Sequence, residues 1–212
     1  MSTATGNRQG TATRAKLIKV AERLFAAQGV DAVSVRAVNA AAGLGPASVH
    51  YHFGSKDDLL SAVLLDLGGP VRDRIAANVA TLAAAPEPAD PDALVRALTD
   101  PYLELLVQHR VRGLRWVKIV AQLSPEDHPA LRSTGQDVDA ALLREVRRTY
   151  PDTDPDRLEL RWAISVTSFL QALGRVDEWN RDDRHPSPEG MTAFYEDLVE
   201  FVVGGLDRLL RT

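Results

Sequence analysis

Cysteine is absent from the 212 residues, which excludes a disulfide framework, a thiolate metal site and a cysteine nucleophile. No apolar run approaches the ~20 residues that a membrane span needs. The first residues, Met1 to Gln9, are polar and carry no apolar segment of a secretory signal. Lysine is scarce, with 4 against 21 arginines. Beside abundant alanine this marks a high-GC coding sequence, so arginine richness is no sign of nucleic-acid binding. No stretch alternates polar and apolar residues long enough for a strand, and there is no internal repeat. What remains is ordinary for a globular chain, at 45% apolar and 25% charged residues. It suffices for one domain with a real core or two modest ones, and the expected compartment is the cytoplasm.

The net charge of −4 hides a division. Residues 1–60 carry a net +3 and the remainder −7, so a basic head is joined to an acidic body. Such a split points to a small polyanion-binding module on a body that binds something else.

Hydrophobic spacing is helical nearly throughout, and the fold class is all-α. Thr13 is placed to N-cap a helix over about 14–28, with Leu17, Ala21, Leu24 and Phe25 on one face and Gly29 past its end. Ser34 caps a short second helix whose Val35, Val38 and Ala42 face inward, closed by Gly43. Gly45-Pro46 opens a third, from about Pro46 to Phe53 and stopped by Gly54. Ser55-Lys56-Asp57-Asp58 resembles a capping box and starts a fourth helix, which Gly68-Gly69-Pro70 should kink or interrupt. The run AAAPEPADP (83–91) is a linker-like break. Helical stretches follow at about 91–109, where Pro101 argues for a break, then 111–123, 129–149 and 155–179. A polar loop is expected over 181–188, and Ser187 caps a last helix to about Leu210.

Residues 34–53 have the form of a helix-turn-helix: two short helices, a glycine-containing turn, and Val35, Val38, Leu44 and Val49 for a shared core. On that local pattern a generic αα-hairpin and a DNA reader stand level. The order of residues separates them. AERLFAAQGVDAVSVRAVNAAAGLGPASVHYHFGSKDDLL (Ala21 to Leu60) resembles the N-terminal domain of the TetR family of bacterial transcriptional regulators. Leu24-Phe25, Gly29, Ser34, Ala42-Gly43 and above all the run His52 to Leu59 carry the likeness. It implies a DNA-binding domain over 1–56, with a flexible arm of about 1–10, and a helical ligand-binding and dimerisation domain over 57–212. It further implies that Pro46, Ala47, Ser48 and Tyr51 face base edges and that Arg36 reaches a base. His50 then lies at a phosphate-contacting position, and Ser34, His52 and Lys56 at backbone-contacting or helix-anchoring ones. The chemistry is consistent: Arg36 suits guanine, and Pro46 and Ala47 suit thymine methyls. Lys56 would meet a phosphate beside free helix amides.

The chain departs from the family pattern at three positions. Gly45 replaces a Ser/Thr cap, His50 replaces Tyr, and Asn39, read as a surface or phosphate contact, replaces a small apolar residue. With Gly-Pro-Ala-Ser in the reading positions, DNA shape and Arg36 carry much of the specificity. His50 and His52 point apart on a helix, so no metal site is expected. Phe53 is read as a core aromatic. Arg8, Arg14 and Lys16 are read as solvated, with Arg8 within reach of a minor groove.

One helix-turn-helix makes few contacts, so a homodimer reading a palindromic operator is the physical solution. Two helical stripes are the candidate interface. One is Trp162, Ser165, Phe169 and Ala172; the other is Phe194, Leu198, Phe201, Val202, Gly205 and Leu209. Together they would build a four-helix bundle. The middle helices would enclose a pocket for a small hydrophobic or amphipathic effector. Its candidate lining is Tyr102, His109, Trp116, Gln122 and Trp162, and the 68–70 break would absorb ligand-driven movement. Repression relieved by ligand is the expected logic. Two other classes stay open: a ligand-independent architectural DNA binder and a cofactor-free helical enzyme. Against the enzyme, there is no G-x-S-x-G, H-E-x-x-H or P-loop, Gly43-Leu44-Gly45 lacks a third glycine, and Asp182-Asp183 has no partner at metal-ligand spacing.

Overall fold

The computed structural model describes residues 3–126, 128–179 and 187–211, and among them there is no strand. The helices are α1 (Thr3–Gln28), α2 (Val35–Ala41), α3 (Ser48–Phe53), α4 (Lys56–Ala84), α5 (Pro91–Gln108) and α6 (Arg110–Leu123). After a 3-10 turn at Ser124–Glu126 come α7 (Pro129–Thr149), α8 (Pro155–Leu173), α9 (Val176–Trp179) and α10 (Pro188–Leu210). The polar loop expected over 181–188 and the pair Asp182-Asp183 lie almost wholly outside the described residues.

The long helices of the body share one local device. Asp90-Pro91, His128-Pro129, Asp154-Pro155 and Ser187-Pro188 begin α5, α7, α8 and α10, and in each the residue before proline accepts a hydrogen bond from a first-turn amide. Proline at the first position costs nothing there, because its missing N–H would be unbonded anyway. Ser34 and Ser55 cap α2 and α4 in the same way. The Ser55 box closes differently from the usual one: the Asp58 carboxylate accepts from the Ser55 hydroxyl (2.6 Å), in keeping with a side chain one carbon shorter than glutamate.

Several expected boundaries are corrected. Thr13 is no cap: its hydroxyl bonds the Gln9 carbonyl one turn back (2.9 Å), and the residues expected as an arm are helical from Thr3. α3 begins at Ser48, two residues later than expected, behind a turn at Pro46-Ala47. The stretch expected over 155–179 is divided at Gly174 into α8 and α9.

Two prolines expected to break helices do not. Pro101 is buried inside an unbroken α5. It leaves the Ala97 carbonyl without its helical donor, and the Asn78 side chain of α4 supplies one (3.2 Å). Pro70 lies on the exposed side of an unbroken α4, where water can satisfy the Asp66 carbonyl. Gly68, two residues before it, serves close approach rather than flexibility: a Cβ there would stand 2.5 Å from the Trp116 ring.

α4 is the axis of the molecule. It packs on α1 and α3 at one end and on α5, α6 and α7 along its length, while α10 closes on α5 and α8. One apolar cluster runs from Leu17 to Leu210. The 85–90 loop is fastened down, since Arg148 of α7 donates to the carbonyls of Leu82, Ala85 and Glu87.

Candidate nucleic-acid interface and ligand cavity

The helix-turn-helix is assembled around a residue misjudged from sequence. Asn39 is 2% exposed, not a surface contact. Its Nδ2 donates to the Pro46 carbonyl (2.6 Å) and its Oδ1 accepts from the Val49 amide (3.1 Å). It thereby ties α2 to the start of α3, where no side chain caps the helix locally. Gly43 makes the turn with φ +63°, a conformation costly to residues with a Cβ. Val38, Ala42 and Val49 are buried between the helices, and Val35 and Leu44 pack at their edge.

This packing leaves one face outward. Ser34, Arg36, Pro46, Ala47, His50 and Tyr51 are exposed, and Ser48, His52 and Lys56 are half-buried. Tyr51 is 84% exposed, with its ring set edge-on against His52 (5.0 Å between centroids). A large aromatic left in water at this point is a group available to a partner. Lys56 Nζ lies 3.4 Å from the Asp31 carbonyl, which holds it near the head of α4. Arg14 is not simply solvated: its guanidinium sits 4.9 Å from the Phe53 ring centroid.

Behind this head lies a cavity of about 540 Å³. Leu64, Gly68, Val71 and Ile75 of α4 form one wall, and Trp116 and Val120 of α6 continue it. α5 adds Tyr102, α7 adds Val138 and Leu142, and α8 adds Trp162 and Leu170. Of the five residues expected to line a pocket, Tyr102, Trp116 and Trp162 do so. His109 and Gln122 do not: both are exposed, His109 at the corner between α5 and α6. Helical spacing shows that two residues share a face but not which neighbour that face meets. The Trp116 indole donates to the Leu64 carbonyl (2.9 Å), so α6 and α4 are joined in the cavity wall.

Head and body are linked by charge as well. Glu22 of α1 has a side chain only 3% exposed. It accepts from Arg112 of α6 at 2.8 and 2.5 Å, while Arg112 also reaches Asp66 of α4 (2.7 Å). Burial lowers the pKa of Arg112, but its hydrogen bonds to Glu22 and Asp66 more than offset that and raise it. Arg112 lies one turn from Trp116, so a single stretch of α6 touches the cavity and the head.

Of the expected interface stripes, Phe201, Gly205 and Leu209 are exposed, and the rest are buried or half-buried within the protomer. Phe169, Leu198 and Val202 are interior, with Phe169 stacked edge-on against Tyr102 and Tyr195. Ser165 is buried, Trp162 faces the cavity, and Ala172 and Phe194 are half-buried. The face left in water is Leu160 and Ile164 on α8 with Phe201 and Leu209 on α10, beside the exposed Gly204 and Gly205.

Comparison with known proteins gives a family match at each end of the chain. A family model described as bacterial regulatory proteins, tetR family, matches residues 17–63. A tetracyclin repressor-like C-terminal domain matches residues 96–205. The chain is 40% identical over 60 residues to the HTH-type transcriptional regulator BetI of Rhizobium meliloti, covering 28% of this chain and 30% of that protein. It is 38% identical over 70 residues to the HTH-type transcriptional repressor KstR2 of Rhodococcus jostii, covering 31% and 34%. The likeness thus spans about a third of the curated relatives it matches. The structure of the ketosteroid transcriptional regulator KstR2 of Mycobacterium tuberculosis superimposes with a TM-score of 0.57 at 20% identity, over 91% of this chain and 93% of that one; it shares the fold.

Proposed function

This chain belongs to the TetR family of bacterial transcriptional regulators, and from that premise we propose that it is a repressor released from DNA by a small hydrophobic or amphipathic effector. It is a DNA-binding regulator and not an enzyme. The observation that carries the effector reading is the double duty of α4: its first turns hold α1 and α3, and its middle is a cavity wall. A molecule seated between α4 and α7 displaces the helix that carries the reading head. Repression is lifted when the effector binds the displaced form more tightly, with a coupling on the order of 1–3 kcal/mol.

The operator is a palindrome read by a homodimer. Arg36, Pro46, Ala47, Ser48 and Tyr51 address base edges, while Ser34, His50, His52 and Lys56 address the backbone. The dimer face is Leu160, Ile164, Phe201 and Leu209, where Gly204 and Gly205 permit close approach of a second copy. An architectural DNA binder has no use for a largely apolar cavity behind its reading head, and the cavity favours the effector reading.

The test is fluorescence anisotropy on DNA from upstream of the protein's own gene and on a scrambled version, at 50 and 200 mM salt. The expected result is preference for the upstream DNA, with two or more protomers per site. Arg36→Ala should then cost about 10-fold in affinity at one base position. Binding that ignores sequence and collapses at 200 mM salt overturns the reading in favour of the architectural one.

A further inference from the structure

Four tyrosines occur in the chain, and three are buried: Tyr102, Tyr150 and Tyr195. A buried phenol ordinarily finds a hydrogen-bond partner, and two of them have one. Tyr195 bonds Asp100 (2.5 Å) and Thr99 (2.9 Å), and Tyr150 donates to Asp207 (3.2 Å). The Tyr102 hydroxyl has no hydrogen bond among the described residues, although the residue is only 8% exposed. Nor is it sealed within the packing, where an unbonded hydroxyl is fully desolvated. It opens onto the cavity that Tyr102 lines.

Its position is rigid. The ring is held between Trp116 (5.8 Å) and Phe169 (5.7 Å, edge-on), so the hydroxyl cannot swing away to another partner. Burial, and then the Asp139 carboxylate, push its pKa up, which keeps it protonated. Two further donors line the cavity without a hydrogen bond among the described residues, the Trp162 indole N–H and the Thr167 hydroxyl, both on α8. The Trp116 N–H is already committed to Leu64. The indole N–H can only donate, while the two hydroxyls can donate or accept, and all three suit an oxygen on the ligand. The charged groups Arg72, Arg132 and Asp139 line the same cavity, so its charge is mixed.

Resting on the effector reading above, we propose that Tyr102 determines effector specificity and that the effector is a mostly apolar molecule presenting a ketone, ester or alcohol oxygen to its hydroxyl. A ligand without that oxygen covers the phenol and leaves it unpaired. Discrimination thus comes from a polar group that only the right ligand completes.

The probes are 1-tetralone and tetralin, which differ by one carbonyl. Binding to the full chain is followed by quenching of tryptophan fluorescence and by the rise in thermal midpoint. The ketone should bind at least as tightly as the hydrocarbon, against its greater solubility in water. Tyr102→Phe keeps the ring and should weaken the ketone about 3- to 10-fold while moving tetralin less than 2-fold. Thr167→Val, which leaves Tyr102 in place, should preserve the ketone preference. Equal loss of both probes in Tyr102→Phe, or a wild-type cavity that prefers tetralin, overturns the role of Tyr102 and leaves the effector reading standing. Failure of both probes to bind the wild type at millimolar concentration overturns both.

Discussion

Asn39 offers the sharpest test of how the reading head is built. Its side chain makes two bonds of opposite sense, donating to the Pro46 carbonyl and accepting from the Val49 amide. Only the amide orientation found here satisfies both. Asn39→Ala removes two hydrogen bonds worth about 1 kcal/mol each and strands the amide of a fully buried Val49, at about 1–2 kcal/mol more. The expected loss is about 3 kcal/mol. Asn39→Asp is the decisive variant. It keeps an acceptor for Val49 but brings a carboxylate oxygen to 2.6 Å from a carbonyl, so it should be no more stable than alanine. Urea unfolding should show the midpoint falling by about 1 M, for a slope near 2–3 kcal/mol/M. Hydrogen exchange at Val49 should quicken by about 100-fold, the same free energy expressed locally. If Asn39→Asp matched the wild type in both, the bridge to Pro46 would contribute nothing and the clamp would reduce to a cap.

Other substitutions probe the rest of the structure. Gly68→Ala gains about 1 kcal/mol of helix propensity but drives a methyl into Trp116, which hydrogen-bonded Leu64 and the Tyr102 ring hold in place; overpacking of about 1–3 kcal/mol should win. The thermal midpoint should fall by about 2–4 °C, and a rise would show that the indole has room. Glu22→Gln removes the buried partner of Arg112 and should cost about 1–3 kcal/mol, at the lower end because Arg112 keeps Asp66 and is partly solvated. Glu104→Ala, which breaks an exposed pair with Arg74, should stay within about 0.5 kcal/mol in the same denaturation assay; equal effects would contradict the burial argument. Phe201→Asp puts a charge on the proposed dimer face twice per dimer and should raise the dissociation constant at least about 100-fold by sedimentation equilibrium. An unchanged dimer would place the interface elsewhere.

The amino-acid sequence alone determined what depends on near neighbours. Ser34, Ser55 and Ser187 cap as their positions require, because a cap needs only the amides two or three residues ahead. The helix-turn-helix was legible because Val38, Ala42 and Val49 supply a shared core about the Gly43 turn, and the run His52 to Leu59 carried the family likeness. Contacts across the fold were not legible. Pro101 reads as a breaker until Asn78, 23 residues earlier, reaches the carbonyl it orphans. Gly68-Gly69-Pro70 reads as a hinge until Trp116 occupies the space a side chain would need. Asn39 reads as surface until Pro46 and Val49 close on it. Periodicity grouped Phe169 with the interface and His109 with the pocket, because spacing gives the angle between side chains around one helix and nothing about its rotation against another. That rotation is decided by the sum of contacts across the packed helices. It turned Phe169, Leu198 and Val202 into the core, left Phe201 and Leu209 in water, and opened the Tyr102 hydroxyl onto a cavity.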